Sequence, residues 1–296
     1  MKDPRIPFVR HMLTWTDTKR LKTQIYEYPD VGTIRNLTYK PGDSSRDFRF
    51  DVFIPKDHKE LLPVIIDLHG GGLVYGDKLL NQWTAAEMAR RGYLVITLNY
   101  PLIPHVSIQQ QVKVLLEAFQ YIESLSGELP MDLTRVSLKG DSGGGLLSIL
   151  LTGLQSLPNL QSYFKISHQF RIKALILVHT MTHLKRRDLL GYLSKFDEEF
   201  KELPNDVQTL FENPRDGLFD LPVWIVTSQN DIMFYKETTN FAKILKNRDQ
   251  PVKFHEFSYT WRPLNHIFMV THPQIPESQY LYDSLDRFLE ESIERS

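Results

Sequence analysis

From about residue 31 the apolar positions of this 296-residue chain recur at two different periods, and the switching between them predicts strands alternating with helices. Thr33–Tyr39 and Phe48–Ile54 alternate apolar and polar residues, the pattern of half-exposed strands. Later segments read differently. Pro63–Leu68 (PVIIDL), Tyr93–Leu98 (YLVITL), Val136–Leu138, Ile172–Val178 (IKALILV) and Val223–Thr227 (VWIVT) are short, nearly continuous apolar runs, as in strands buried on both faces. Val252–Phe257 is the last expected strand. Between them, Ile108, Val112, Leu115, Leu116, Phe119 and Ile122 fall three or four apart, with Gln109, Lys113, Glu117, Gln120 and Glu123 opposite, which predicts a surface helix. Residues 144–154 are apolar all round and predict a helix packed in the core. Leu281, Leu285, Phe288 and Leu289 stripe a final helix after Pro276. This alternation predicts an α/β fold, a mainly parallel sheet with helices on both faces.

Two segments stand outside the alternation: residues 1–30, and the charged, partly amphipathic stretch 180–220 between two expected core strands. One domain spanning 1–296 is expected, with a cap over the site formed by 1–30 and 180–220. An ordinary connecting helix pair is the plainer reading of 180–220. No internal repeat or low-complexity tract interrupts the chain.

Composition narrows the partners. A formal net charge of -1 argues against nucleic acid, which attracts strongly basic faces. The absence of cysteine excludes disulfides, a thiolate nucleophile and sulfur-ligated metals. Lys2, Asp3, Pro4, Arg5, Pro7 and Arg10 break any leader-like apolar run at the start, and the longest apolar stretch, 143–154, falls short of the ~20 residues that cross a bilayer. The expectation is a cytoplasmic protein with no stable membrane insertion and a small-molecule partner; a homodimer stays open.

The chemistry begins at Gly140-Asp141-Ser142-Gly143-Gly144, a G-x-S-x-G sequence between an expected strand and the apolar helix. A serine on such a sharp turn needs neighbours without side chains, so that strand and helix approach while the hydroxyl stands clear. The plain alternative is a glycine-rich turn with an incidental serine. The same letters surround the nucleophile of chymotrypsin-like proteases, but those chains are all-β and place histidine and aspartate before the serine. His69-Gly70-Gly71-Gly72 follows PVIIDL directly, where exposed amides could hold a developing oxyanion, each donor worth roughly 3 kcal/mol of barrier. Gly71, Gly72 and Gly143 are the expected donors. No phosphate-loop Lys-Ser/Thr follows these glycines. Asp231, just beyond VWIVT, is the expected carboxylate, a capping aspartate being the alternative, with Asp216 and Asp220 as rivals. His266, between the last strand and last helix, is the expected general base, ahead of His255 and His272. His179 and His183 stand four apart without an H-E-x-x-H glutamate, so solvated or lid-packing roles are expected for them, and no metal site. Leu73, Tyr75 and Phe268 are the expected substrate-binding side chains.

Taken together, His69-Gly70-Gly71-Gly72, Gly140-Asp141-Ser142-Gly143-Gly144 and Asn99-Tyr100-Pro101-Leu102-Ile103-Pro104 resemble the hormone-sensitive-lipase-like branch of α/β-hydrolase esterases over roughly residues 50–290. The resemblance implies the α/β-hydrolase fold with a central sheet of about eight strands, a cap built partly from the amino terminus, no cofactor, and hydrolysis of short- to medium-chain carboxylic esters through an acyl-enzyme. Asn99 and Pro101 depart from the family's aspartate and arginine, which removes an ion pair expected there. A serine carboxylesterase or deacetylase is the leading expectation. An arylformamidase-like amide hydrolase and a non-catalytic ligand-binding relative are the alternatives; the presence of both His266 and Asp231 speaks against the latter.

Overall fold

A computed structural model of the chain describes residues 3–183, 205, 221–262 and 264–294. Its eight-stranded sheet has the order β1-β2-β4-β3-β5-β6-β7-β8. The strands are β1 (Val31–Thr38), β2 (Arg49–Pro55), β3 (Leu62–Leu68), β4 (Leu94–Leu98), β5 (Met131–Asp141), β6 (Ile172–Val178), β7 (Val223–Ser228) and β8 (Val252–Phe257). Strand β2 is antiparallel to both its neighbours and every other pair is parallel. This is the α/β-hydrolase architecture that the motifs implied. Among the described residues the helices are α1 (Arg5–Thr23), α2 (Gln82–Ala89), α3 (Ile108–Ser124), α4 (Ser142–Ser156), α5 (Pro158–Phe164), α6 (Tyr235–Lys246), α7 (Phe268–Thr271) and α8 (Pro276–Glu294).

The two-residue repeat of the strands explains the two cores. Val64, Ile66 and Leu68 of β3 pack with α3 and α4 in one cluster; Ile65 points to the other, with Ala85 of α2 and Leu281 of α8. The central strands are therefore apolar on both faces, which is why they read as continuous runs. A capping box starts α3, with the Ser107 hydroxyl accepting from the Gln110 amide at 3.1 Å and the Gln110 side chain accepting from the Ser107 amide at 2.8 Å.

Some boundaries differ from the pattern reading. The strand β5 runs for 11 residues rather than the three of Val136–Leu138, because between the buried Met131 and Val136 the residues Asp132–Arg135 are partly buried or exposed and leave no apolar run. In β2 the polar position Asp51 is buried; Arg35 and Lys78 pair with its carboxylate at 2.8 and 2.9 Å, so alternation there does not mean exposure. The helix α1 buries only Ile6 and Val9 and leaves Phe8, Met12 and Trp15 exposed, so its apolar positions form no single stripe to detect. Of the insertion 180–220, residues 184–204 and 206–220 lie outside the described residues, as do Asp216 and Asp220. Among the described residues no helix is long and apolar enough to cross a membrane.

Candidate active site

Ser142 is the first residue of α4 and follows β5 without a linker. Its φ of 51° lies in the left-handed region, a strained setting for a residue with a side chain. The turn is possible because a Cβ on Gly144 would collide with the Leu68 carbonyl, so only glycine lets β3 and α4 come this close. The strain thus lifts the serine out of the packed turn, and its side chain lines a cavity.

The glycine loop after β3 covers this turn. Gly71 takes φ 109° and its carbonyl accepts the amides of Val74 and Tyr75 at 3.2 and 3.1 Å, folding the loop over. The Gly70 amide donates to Asp141 Oδ2 at 3.0 Å, tying the loop to the residue before Ser142. Gly71 and Gly72 line the cavity beside Ser142; Gly143 is packed beneath, where a Cβ would stand 3.1 Å from the Gly72 and Leu73 nitrogens. Under the loop, Asn81 Nδ2 donates to Asp141 Oδ1 at 2.6 Å and to Asp67 Oδ1 at 2.8 Å. The Lys139 ammonium lies 2.9 Å from Asp67 and 3.9 Å from Asp141, all three side chains buried. Burial raises the Asp67 carboxyl pKa, against the pull of Lys139. His69 stacks on Tyr100 at 4.5 Å, and the Tyr100 hydroxyl donates to the His69 carbonyl at 2.7 Å. Asn99, where the resemblance implied an aspartate, makes hydrogen bonds instead, donating to Arg46 O at 2.8 Å and Asp77 Oδ2 at 3.1 Å.

Asp231 lies in the turn between β7 and α6, and its two oxygens do different things. Oδ1 accepts the amides of Met233 and Phe234 at 2.9 and 3.1 Å, a turn-capping role. Oδ2 accepts from His266 Nδ1 at 3.0 Å and from His179 Nδ1 at 2.8 Å. Burial pushes this carboxyl upward, but the hydrogen bonds from His179 and His266 outweigh it and hold the group well below the usual carboxylate range. His266 stands between β8 and α7, tilted against Phe234 at 5.0 Å, with its ring partly exposed to the cavity. Ser142 and His266 line the same cavity, yet among the described residues no hydrogen bond joins the hydroxyl to the imidazole.

The cavity measures about 380 Å3. Val9, Met12 and Leu13 of α1 form one wall, Tyr75 and Leu80 another, and Met233 and Ile267 flank His266. Of the three expected substrate-binding residues, Tyr75 lines the space. Leu73 and Phe268 do not: both are fully buried, Leu73 because φ 66° turns it into the larger core cluster, Phe268 because it packs on His179 and Phe257. His272, ranked behind His266 as a base, lines the cavity near Arg20, which is paired with Asp17 at 3.1 Å. His255 is a packing residue in β8, hydrogen-bonded to Ser284 at 2.7 Å. His183 is exposed beside Glu237 at 3.1 Å. His179 departs from its expected solvated or lid-packing role, being fully buried on Asp231.

The ligating atoms of His179, Asp231 and His266 lie within 4.8 Å of one another. Their 2.8 and 3.0 Å contacts are hydrogen-bond distances, shorter than the roughly 3.3 Å between two ligands of a tetrahedral zinc. Sequence reasoning missed His179, Asn81 and Lys139 as members of this neighbourhood. The available signal was slight: a charged residue inside an apolar strand run, and a histidine at a strand's carboxyl end, where such sheets gather their sites.

A family model described as BD-FAE matches residues 50–203, just over half of the chain. Among curated proteins, the chain is 24% identical over 168 residues to the Oryza sativa subsp. japonica protein named "Probable isoprenylcysteine alpha-carbonyl methylesterase ICME", covering 53% of this chain and 40% of that one. It is 27% identical over 134 residues to human "Arylacetamide deacetylase-like 2", covering 42% and 31%. The chain thus spans less than half the length of either relative. Among solved structures, esterase B from Lactobacillus rhamnosis superposes with a TM-score of 0.86 at 22% identity, over 99% of this chain and 96% of that one, a likeness of fold.

Proposed function

The chain belongs to the BD-FAE family, and from that premise we propose that it is a serine carboxylic ester hydrolase acting on small acyl esters. The observation that carries the reading is one cavity lined by Ser142, Gly71, Gly72 and His266, with Asp231 holding the far side of the imidazole at 3.0 Å. In the proposed reaction Ser142 Oγ attacks the ester carbonyl carbon as His266 Nε2 takes the hydroxyl proton. The carbonyl oxygen becomes negative under the amides of Gly71, Gly72 and Gly143. Collapse expels the alkoxide, which leaves with the proton from His266, and an acyl-serine remains. Water, deprotonated by the same imidazole, then releases the acid and restores the serine. Asp231 keeps the proton of neutral His266 on Nδ1, so that Nε2 faces the serine.

Substrate size follows from the walls. A space of about 380 Å3 bounded by Val9, Met12, Leu13 and Leu80 suits an apolar acyl or alcohol group of modest length. The helix α1 acts as part of a cap in this reading, and a cytoplasmic location belongs to the same proposal. The methylesterase name of one relative agrees with an ester substrate, whereas the arylacetamide deacetylase-like name of the other refers to an amide.

Labelling with a fluorophosphonate probe and hydrolysis of p-nitrophenyl acetate and butyrate test the proposal. Wild type is expected to label and turn over; Ser142→Ala is expected to lose the label and at least about 10^3-fold in kcat. Equal labelling of both forms would mean another nucleophile. Faster turnover of formylated arylamines than of aryl acetates would move the substrate class to amides.

A further inference from the structure

We infer that His179 is a positioning residue for this site, donating its Nδ1–H to Asp231 Oδ2 so that the carboxylate is held toward His266 and its charge is divided between two imidazoles. The inference rests on the roles proposed above for Ser142, His266 and Asp231.

The fold places this histidine with care. His179 follows the last residue of β6, its amide donates to the Val226 carbonyl of β7 at 2.9 Å, and its φ of 47° turns the side chain toward the carboxyl ends of the strands. The ring is fully buried between His266, perpendicular at 5.8 Å, and Phe268, perpendicular at 5.5 Å. Its Nδ1 reaches Asp231 Oδ2 at 2.8 Å, closer than the 3.0 Å of His266. An ionised carboxylate only accepts, so this nitrogen carries a proton. The other nitrogen, Nε2, is buried and has no hydrogen-bond partner among the described residues. A second proton there would be a buried donor with nothing to receive it, so the site selects the neutral ring protonated at Nδ1 alone. The groups that act on this ring electrostatically are Asp231 from the β7–α6 turn, His266 from the loop before α7, and Asp141 at the end of β5. Burial lowers the His179 pKa against Asp231 and Asp141, which agrees with a neutral ring.

Two donors on one oxygen have a consequence for His266. Without His179, Oδ2 serves His266 alone and draws harder on its N–H, while the carboxylate keeps only the two backbone amides on Oδ1 to fix its rotation. A residue that merely fills space would change neither property.

The test uses full-length protein labelled with 15N-histidine. The inference expects two far-downfield imidazole N–H protons, one from His179 and one from His266, and an unprotonated Nε2 on His179. In His179→Phe one resonance disappears and the other moves; His179→Asn, which keeps an N–H donor, returns the remaining one toward its wild-type position. With p-nitrophenyl esters, the acid limb of kcat/KM in the phenylalanine variant moves up by about half to one pH unit and kcat falls about tenfold, with KM nearly constant; asparagine restores most of both. A protonated Nε2 on His179 in the wild-type spectrum overturns the inference. So does a phenylalanine variant whose His266 proton and pH profile match wild type. The wild-type spectrum decides even if that variant does not fold. It also decides if the protein turns over no ester, a result that counts against the proposed reaction and not against the hydrogen bond.

Discussion

An ammonium group with 1% of its side chain exposed has no water to solvate it, so Lys139 depends on what neighbouring strands bring. Register supplies the answer: Asp67 of β3 stands directly opposite Lys139 of β5, and both its oxygens lie 2.9 Å from Nζ. Lys139→Met removes the cation and leaves Asp67 and Asp141 buried without it. The expected cost is about 3–5 kcal/mol, read as a lower urea midpoint at unchanged slope, and smaller when Asp67→Leu is added. Nothing in the local sequence announced this pair, because Lys139 and Asp67 are 72 positions apart and their strands meet only in the folded sheet. Ser142 was legible for the opposite reason. The glycines that free it from steric conflict are its own chain neighbours, so the demand of the turn is written next to it.

At the scale of elements, the sheet was more legible than the wall of the cavity. Strands β3, β4, β6 and β7 are buried on both faces and therefore spell themselves as apolar runs. The helix α1 is mostly polar and is held by a few contacts: Ile6 and Val9 in the core, and Arg10, whose guanidinium donates to the Val74 carbonyl at 2.6 Å and the Ile103 carbonyl at 2.7 Å. Arg10 thereby ties the helix to the glycine loop's end and to the Asn99–Pro104 segment at once. Arg10→Ala is expected to loosen α1 by about 1–3 kcal/mol without unfolding the sheet. Limited proteolysis would show faster cleavage within residues 5–23 at an almost unchanged global melting temperature. Loss of the whole transition instead would mean that α1 is part of the cooperative core.

For the whole molecule, the buried titratable groups set a pH window. Burial lowers the pKa of His69, His168, His179, His255 and His272, His255 to about 4 with help from Lys253 and Arg287. A histidine lowered in the fold contributes stability that is present above its unfolded value near 6.5 and lost as the pH falls below it. Asp67, raised, has the opposite sign and blunts this slope. Burial raises the pKa of Tyr28, Tyr39, Tyr93, Tyr100 and Tyr282, whose contribution is complete below about 10 and lost as the pH climbs past it. Urea midpoints are therefore expected to be level between about pH 7 and 9 and to fall on both sides. A curve that rises toward pH 5 would contradict the sign. By itself the sequence determined the alternation of strand and helix, the strained serine turn and the glycine loop, because period and steric demand act between residues close in the chain. Only the tertiary structure decided that one aspartate oxygen serves two histidines, that Lys139 faces Asp67, and that α1 walls the cavity. Those arrangements depend on which strand ends and loops lie side by side, and that adjacency exists only once the sheet has assembled.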